Sequence, residues 1–293
     1  MDKNAYLERN VSQQPALELL QSMGYIYISP EDCALQRGGG YHVLLKDILR
    51  GQLRRLNRYV FAGAENEFSA VNIERAIEDL DEPLTDGLVR TSEKIYDALL
   101  LGKSYPEIVG EGKTLSFNLK YIDWEHPENN LFHVTKEFAV DSRDKLHNAR
   151  PDIVLFVNGI PFAVIECKAP HIPVDRAVEQ MCRNQQPEYI PHLFKFAQIV
   201  LATNKNAVKY ATTNTPKKFW TVWKEENTAF LECALARHVA DHTPTEQDRT
   251  LLSLFSIERV MELVRDFVLF DSNVKKICRY QQYFAIKEIV KTI

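Results

Sequence analysis

Residues 151–170, PDIVLFVNGIPFAVIECKAP, constrain the fold more tightly than any other stretch of this chain. Two apolar runs, PDIVLFV and PFAVIECK, flank the turn signal Asn158-Gly159, a pattern that predicts two buried strands joined as a hairpin. Asp152, Glu166 and Lys168 interrupt that apolar material. Charged side chains among Ile, Val, Leu and Phe are costly unless they pair with one another or hold a metal. Both readings stand at this point: a buried ion pair that fixes the hairpin register, or a site with chemistry.

The strand period allows a choice of register. Glu166 and Lys168 are two residues apart, so they project from one face roughly 7 Å apart, while Cys167 points the other way. A two-residue Asn158-Gly159 turn would set Asp152 opposite Ile165, leaving Glu166 on the wrong face. A three-residue loop, 158–160, instead sets Asp152 across from Glu166, and such loops with a left-handed Gly are common. Pro161 would then open the second strand, where its missing donor is tolerated. The three-residue loop is the expectation.

Two carboxylates side by side repel unless something positive lies between them. Hard oxygen ligands favour Mg²⁺, which keeps several waters and binds through one or two carboxylates plus substrate phosphate. A neighbouring lysine can orient or help deprotonate an attacking water while the metal stabilises charge on the phosphate. Metal-dependent phosphodiester hydrolysis is the reaction class that follows.

Pro151-Asp152 followed by Glu166-Cys167-Lys168 matches the PD-(D/E)XK nuclease signature. With the surrounding RPDIVLFVNGIPFAVIECKAP, the IPHLF segment at 190–194 and QIVLATN at 198–204, the chain resembles the nuclease domain of the motor (R) subunit of type I restriction enzymes. The resemblance runs from about residue 5 to the C-terminus. It implies an α/β fold, a mixed central sheet flanked by helices, with an N-terminal helical elaboration. It also implies endonucleolytic cleavage of double-stranded DNA. Asp152 and Glu166 would be Mg²⁺ ligands, with the backbone carbonyl of Cys167 a third, and Lys168 the catalytic lysine. The family's Q-x-x-x-Y motif is best matched by Gln180, although Asn184 stands where tyrosine is expected. Gln185 and Tyr189 also fit the spacing, but Pro187 between them makes a poor helix interior. One further acid from an early helix is usual in the fold; Glu8, Glu18 and Glu93 are the candidates by location.

The segment RYQQYFAIKEIV at 279–290 is similar to the Q-motif of superfamily 2 translocases, with Gln282 at the glutamine that reads the adenine of ATP. Tyr283, Ile286 and Ile289 equally form the apolar face of an ordinary amphipathic helix. No G-x-x-x-x-G-K-[ST] phosphate loop occurs. The expected organisation is a nuclease domain over 1–245 and a helical linker over 246–293, cut just before motor domains that would use ATP. By the same resemblance the partners are DNA and the methyltransferase and specificity subunits. Two alternatives remain: a stand-alone PD-(D/E)XK nuclease acting in repair or on RNA, and a non-catalytic assembly module.

The 293 residues, 45% hydrophobic and 26% charged, suit one large or two small globular domains. No apolar run is long enough to span a membrane, and MDKNAYLERN lacks the core of a signal peptide. Five scattered cysteines without a C-x-x-C pair fit reduced thiols and a cytoplasmic location. A net charge of −4 opposes tight DNA binding through charge alone. Two basic clusters, Arg50/Arg54/Arg55/Arg58 and Lys205/Lys209/Lys217/Lys218, offset it locally.

Along the chain, helices are predicted from a Ser12 N-cap to Gly24, and over 42–58, 69–80, 91–101, 174–184 and 246–270, with another from about Asn273. Strands are predicted at 25–28, 115–124, 131–140 and 196–203, with a further strand or packed edge near 217–223. Residues 141–150 read as a loop, and no internal repeat is visible.

Overall fold

The computed structural model describes residues 6–292. Its centre is a six-stranded mixed sheet whose spatial order follows the chain. The strands are β1 (Ile26–Tyr27), β2 (Phe132–Lys136), β3 (Ile153–Val157), β4 (Ile160–Cys167), β5 (Ile199–Thr203) and β6 (Val208–Ala211). The β1–β2 and β4–β5 pairs are parallel, and the other neighbours run antiparallel. Strands β3, β4 and β5 are buried at every position, as their largely apolar runs favour. Helices flank this sheet, which is the architecture that the resemblance implies. The helix Asp175–Asn184 makes the β4–β5 crossover.

The β3–β4 hairpin reaches the expected pairing by a different device. The turn has two residues, not three: Val157 pairs with Ile160 across Asn158 and Gly159, both left-handed at φ 53° and 82°. Such a turn suits the strand twist. The register then shifts at Phe162, so that Ala163 pairs with Leu155 and Ile165 with Ile153. This bulge supplies the extra residue assigned to the loop in the sequence, and it places Asp152 opposite Glu166.

The turn is buried, which is unusual for a hairpin tip. Asn158 is fully enclosed; its Oδ1 accepts from Gln52 Nε2 (2.7 Å) and Leu131 N (2.8 Å), and its Nδ2 donates to Tyr121 O (2.9 Å) and Asn130 Oδ1 (2.8 Å). Gly159 O accepts from Leu45 N at 2.9 Å. A Cβ on Gly159 would lie 2.6 Å from Leu45 O.

Other predicted elements shift for local reasons. The 42–58 helix is confined to Lys46–Leu56, because Arg58–Phe61 leaves it as a strand paired with Ala64–Glu67. The 115–124 strand is Lys113–Leu119, paired with an unpredicted strand, Lys103–Val109. The 131–140 strand breaks at Glu137, which is left-handed (φ 53°), and Val140–Asp141 pairs with Asn148–Ala149 inside the predicted loop. Residues 217–223 form a 3₁₀ turn at Lys217–Phe219 and a single bridge from Thr221 to Tyr210. The 246–270 region is two helices, Glu246–Phe255 and Ile257–Phe267. The expected helix at Asn273 is instead a hairpin, Val268–Asp271 with Val274–Ile277, and the last helix starts at Tyr280. A helix–hairpin–helix unit therefore occurs twice, over 46–80 and 257–291, with no repeat visible in the sequence.

The second hairpin is locked to the sheet by Lys275, only 2% exposed. Its Nζ donates to Ser92 Oγ (3.1 Å), Ala197 O (2.9 Å) and Gln198 Oε1 (2.7 Å), partners that carry no charge. Burial pushes its pKa well below the ordinary lysine value.

Two outcomes are expected. Asn158→Ala removes four hydrogen bonds and leaves Leu131 N and Tyr121 O unpaired, whereas Gln52 keeps Asn129 O and Asn130 keeps Asp123 N; unsatisfied buried groups cost about 1–3 kcal/mol each. Urea denaturation should show a loss of at least about 2 kcal/mol in total; a loss below about 1 kcal/mol would contradict the account. For Lys275 the native state binds fewer protons than the unfolded chain, so its contribution to stability grows as pH rises toward about 10.4. Wild type should therefore gain on Lys275→Met as pH increases, and a pH-independent difference would refute a depressed pKa.

Candidate active site

Asp152 immediately precedes β3, Glu166 and Cys167 close β4, and Lys168 follows with its N–H donating to Thr203 O at 2.8 Å. The Cys167 N–H donates to Asp152 Oδ2 at 2.6 Å, joining the two strand ends across the bulged register. Lys168 Nζ donates to Glu166 Oε1 at 3.1 Å and to Cys167 O at 2.8 Å. The structure thus brings Asp152, Glu166 and Lys168 to one edge of the sheet.

Burial dominates the electrostatics of this cluster. Asp152 is 8% exposed, and burial lifts its pKa to about 7; the Lys168 charge and the Cys167 N–H oppose the rise, while Glu8 and Glu137 add to it. Glu166, 1% exposed, is raised well above the usual range by burial and then by Asp152. Burial works against the Lys168 charge, but Glu166, Asp152 and Glu8 together outweigh it and raise its pKa. Lys168 Nζ stands here as a hydrogen-bond donor, to the Glu166 carboxylate and the Cys167 carbonyl.

The N-terminal helix supplies contacts that sequence reading largely missed. Ser12 does not cap a helix. It lies within a π-helical segment, Glu8–Gln13, that runs into the helix Gln14–Ser22. Its Oγ donates to Lys168 O at 2.7 Å. Glu8 Oε2 lies 3.4 Å from Lys168 Nζ, which singles it out among the three early acids. Glu18 is exposed and bonded within its own helix to Gln14; Glu93, on the helix Leu88–Leu101, has no bond to the cluster. Gln13 and Glu137 also border Asp152, and neither carries a motif that would have marked it. From behind, Gln247 on the helix Glu246–Phe255 donates to Ser12 O (3.0 Å) and accepts from Thr203 Oγ1 (2.9 Å).

Gln180 is half-buried on the helix Asp175–Asn184, and none of the hydrogen bonds among the described residues joins it to Asp152, Glu166 or Lys168. Asn184 is buried, its carbonyl accepting from Ile190 N. Gln185 ends that helix and anchors a loop, bonding Met181 O (3.0 Å) and Asn214 N (2.7 Å). Tyr189 packs near Arg183 and the His147 ring. Gln282 lies on the exposed face of the helix Tyr280–Lys291, where its Oε1 accepts from Arg279 N at 2.9 Å. It borders a groove of about 730 Å³ lined by Phe219, Leu269, Val274 and Ile286.

The donor set suits a hard cation. Glu166 Oε2 is buried without a hydrogen-bond partner, a cost that an ion would remove. Among the described residues no three His, Cys, Asp or Glu side chains form a ligand set. A cation held by Asp152 and Glu166 would thus draw on the Cys167 carbonyl and on water, as Mg²⁺ commonly does. Half of the residues in the two basic clusters form local ion pairs. Arg50 bonds Asp47 and Glu74, Arg58 pairs with Glu67, Lys209 with Asp175 and Lys217 with Glu179.

No helix is long and apolar enough to cross a membrane among the described residues. Comparison with known proteins gives a consistent picture. The chain is 25% identical, over 97% of its length, to a protein of Methanocaldococcus jannaschii provisionally named the type I restriction enzyme MjaIXP endonuclease subunit. It is 25% identical, again over 97% of its length, to the type I restriction enzyme HindI endonuclease subunit of Haemophilus influenzae. It covers 27% and 26% of those two proteins, about a quarter of each. The EcoprrI endonuclease subunit of Escherichia coli is 24% identical over 83% of this chain and 75% of its own length. The family model of the type I restriction enzyme R protein N terminus matches residues 5–219, so the chain belongs to that family.

Proposed function

We propose that this chain is the nuclease module of a type I restriction enzyme motor subunit and cleaves double-stranded DNA with Mg²⁺. The observation that carries the reading is the pair of buried carboxylates, Asp152 and Glu166, beside an ammonium at one sheet edge. A protein interior tolerates that charge set poorly, and an unpartnered Glu166 oxygen raises the cost further. Function is the better explanation for retaining it.

Asp152, Glu166 and the Cys167 carbonyl would hold the ion. When bound, it would supply a Lewis acid for the scissile phosphate and help to activate water. Lys168, in contact with Glu166 and Glu8, would orient the attacking water or a phosphate oxygen. Ser12 fixes the Lys168 backbone, so the ammonium swings from a set origin. In the longer protein that relatives suggest, the partners would be methyltransferase and specificity subunits in the cytoplasm. ATP-driven translocation would deliver DNA, with Gln282 at the adenine.

Supercoiled plasmid incubated with the protein and Mg²⁺ should be nicked or linearised. Asp152→Asn, Glu166→Gln and Lys168→Met should each reduce cleavage by about 10²-fold or more, in line with loss of a preorganised charge-stabilising group. Circular dichroism should show the native fold in all three. Undiminished cleavage in these folded variants would sink the site assignment. Omission of Mg²⁺, with EDTA present, should abolish activity in wild type.

A further inference from the structure

The π-helical segment Glu8–Gln13 puts three side chains against the site at once. Glu8 reaches Lys168 Nζ, Ser12 reaches Lys168 O, and Gln13 reaches Asp152. An ordinary helix could not do this. At about 100° per residue, Ser12 would lie about 40° from Glu8 but Gln13 about 140° away, on another face. The wider π turn, about 4.4 residues, brings Gln13 to about 50° on one side of Glu8 and leaves Ser12 about 30° on the other. Single π turns inside helices are rare and frequently mark functional sites.

Gln13 is 2% exposed. Its Nε2 donates to Glu137 Oε1 (3.0 Å) and Asp152 O (3.0 Å), with Asp152 Oδ1 at 3.4 Å. Glu137 closes the arrangement: its N–H also donates to Asp152 O (2.9 Å), and its carboxylate pairs with Arg150 at 2.9 Å. The Asp152 carboxylate is thus contacted on both oxygens, Oδ2 by the Cys167 N–H and Oδ1 by the Gln13 amide. The Gln13 contact with Oδ1 is the longer of the two, shared with the shorter bonds from the same amide to Glu137 Oε1 and Asp152 O.

We propose that Gln13 is a positioning residue, set on the Asp152 side of the helix by the π turn, that orients the Asp152 carboxylate for cation binding. The proposal rests on the nuclease reading above and adds a residue outside the Asp-Glu-Lys set. Gln13 acts through Asp152 and touches neither substrate nor ion. Outer partners of this type typically contribute 10- to 100-fold to metal affinity.

The test is Mn²⁺ binding by isothermal titration calorimetry on wild type, Gln13→Met and Asp152→Asn, with melting temperature and circular dichroism recorded for each. Wild type should bind Mn²⁺, Asp152→Asn should lose binding, and folded Gln13→Met should bind about 10- to 100-fold more weakly. Should Gln13→Met fold poorly, Gln13→Asn, which withdraws the amide by one methylene, is measured in its place with the same expectation of weakened binding. Wild-type affinity in a folded Gln13 variant, accompanied only by a lower melting temperature, would overturn the proposal and leave Gln13 a purely structural tether. Absence of Mn²⁺ binding by wild type, with Asp152→Asn indistinguishable from it, would instead overturn the nuclease reading.

Discussion

Phe162 is the extra residue in the β3–β4 ladder, and the site depends on it. Without that bulge, the tight Asn158-Gly159 turn would pair Asp152 with Ile165, and one acid would face away from the other. With it, Asp152 stands opposite Glu166 and accepts the Cys167 N–H. Bulges commonly serve to re-aim a side chain beside an active site. Here the bulge follows two residue pairs after the turn, between it and the acids.

The same segment shows what was legible in the sequence. The two buried strands, the turn and the convergence of Asp152, Glu166 and Lys168 could all be read from apolar runs and strand period. The bulge could not, because Phe162 is as apolar as its neighbours and nothing in its identity says that it lacks a partner. The hairpins at 58–67 and 268–277 were missed for a related reason. Their turns, Ala62-Gly63 and Ser272-Asn273, are left-handed at both positions, yet neither is the Asn-Gly or Asp-Gly pair that marks such a turn most strongly. Ser12 was misread because Ser before a Pro-containing turn usually opens a helix. In this chain the helix is already under way, and its widened turn frees the hydroxyl for Lys168. Gln13 and Glu137 carry no motif at all; only the tertiary approach of the 8–13 segment to β3 reveals them.

Charge is distributed with similar economy. Half of the basic residues that could have suggested a DNA surface, Arg50, Arg58, Lys209 and Lys217, are paired with nearby acids, and the net charge is a modest −4. The largest electrostatic cost falls at Asp152 and Glu166, where burial raises both groups and Asp152 adds to the rise at Glu166.

Hairpin tips are ordinarily where a lineage accepts insertions, because they project into solvent. The tip at Asn158-Gly159 is the reverse: Asn158 is fully enclosed, and a single added carbon at Gly159 would collide with Leu45 O. Changes of chain length are therefore excluded from this corner and displaced to open segments such as 143–148, whose residues are exposed. Related chains should differ in size around the rim of the molecule while the distance from this tip to the acids stays constant to the residue.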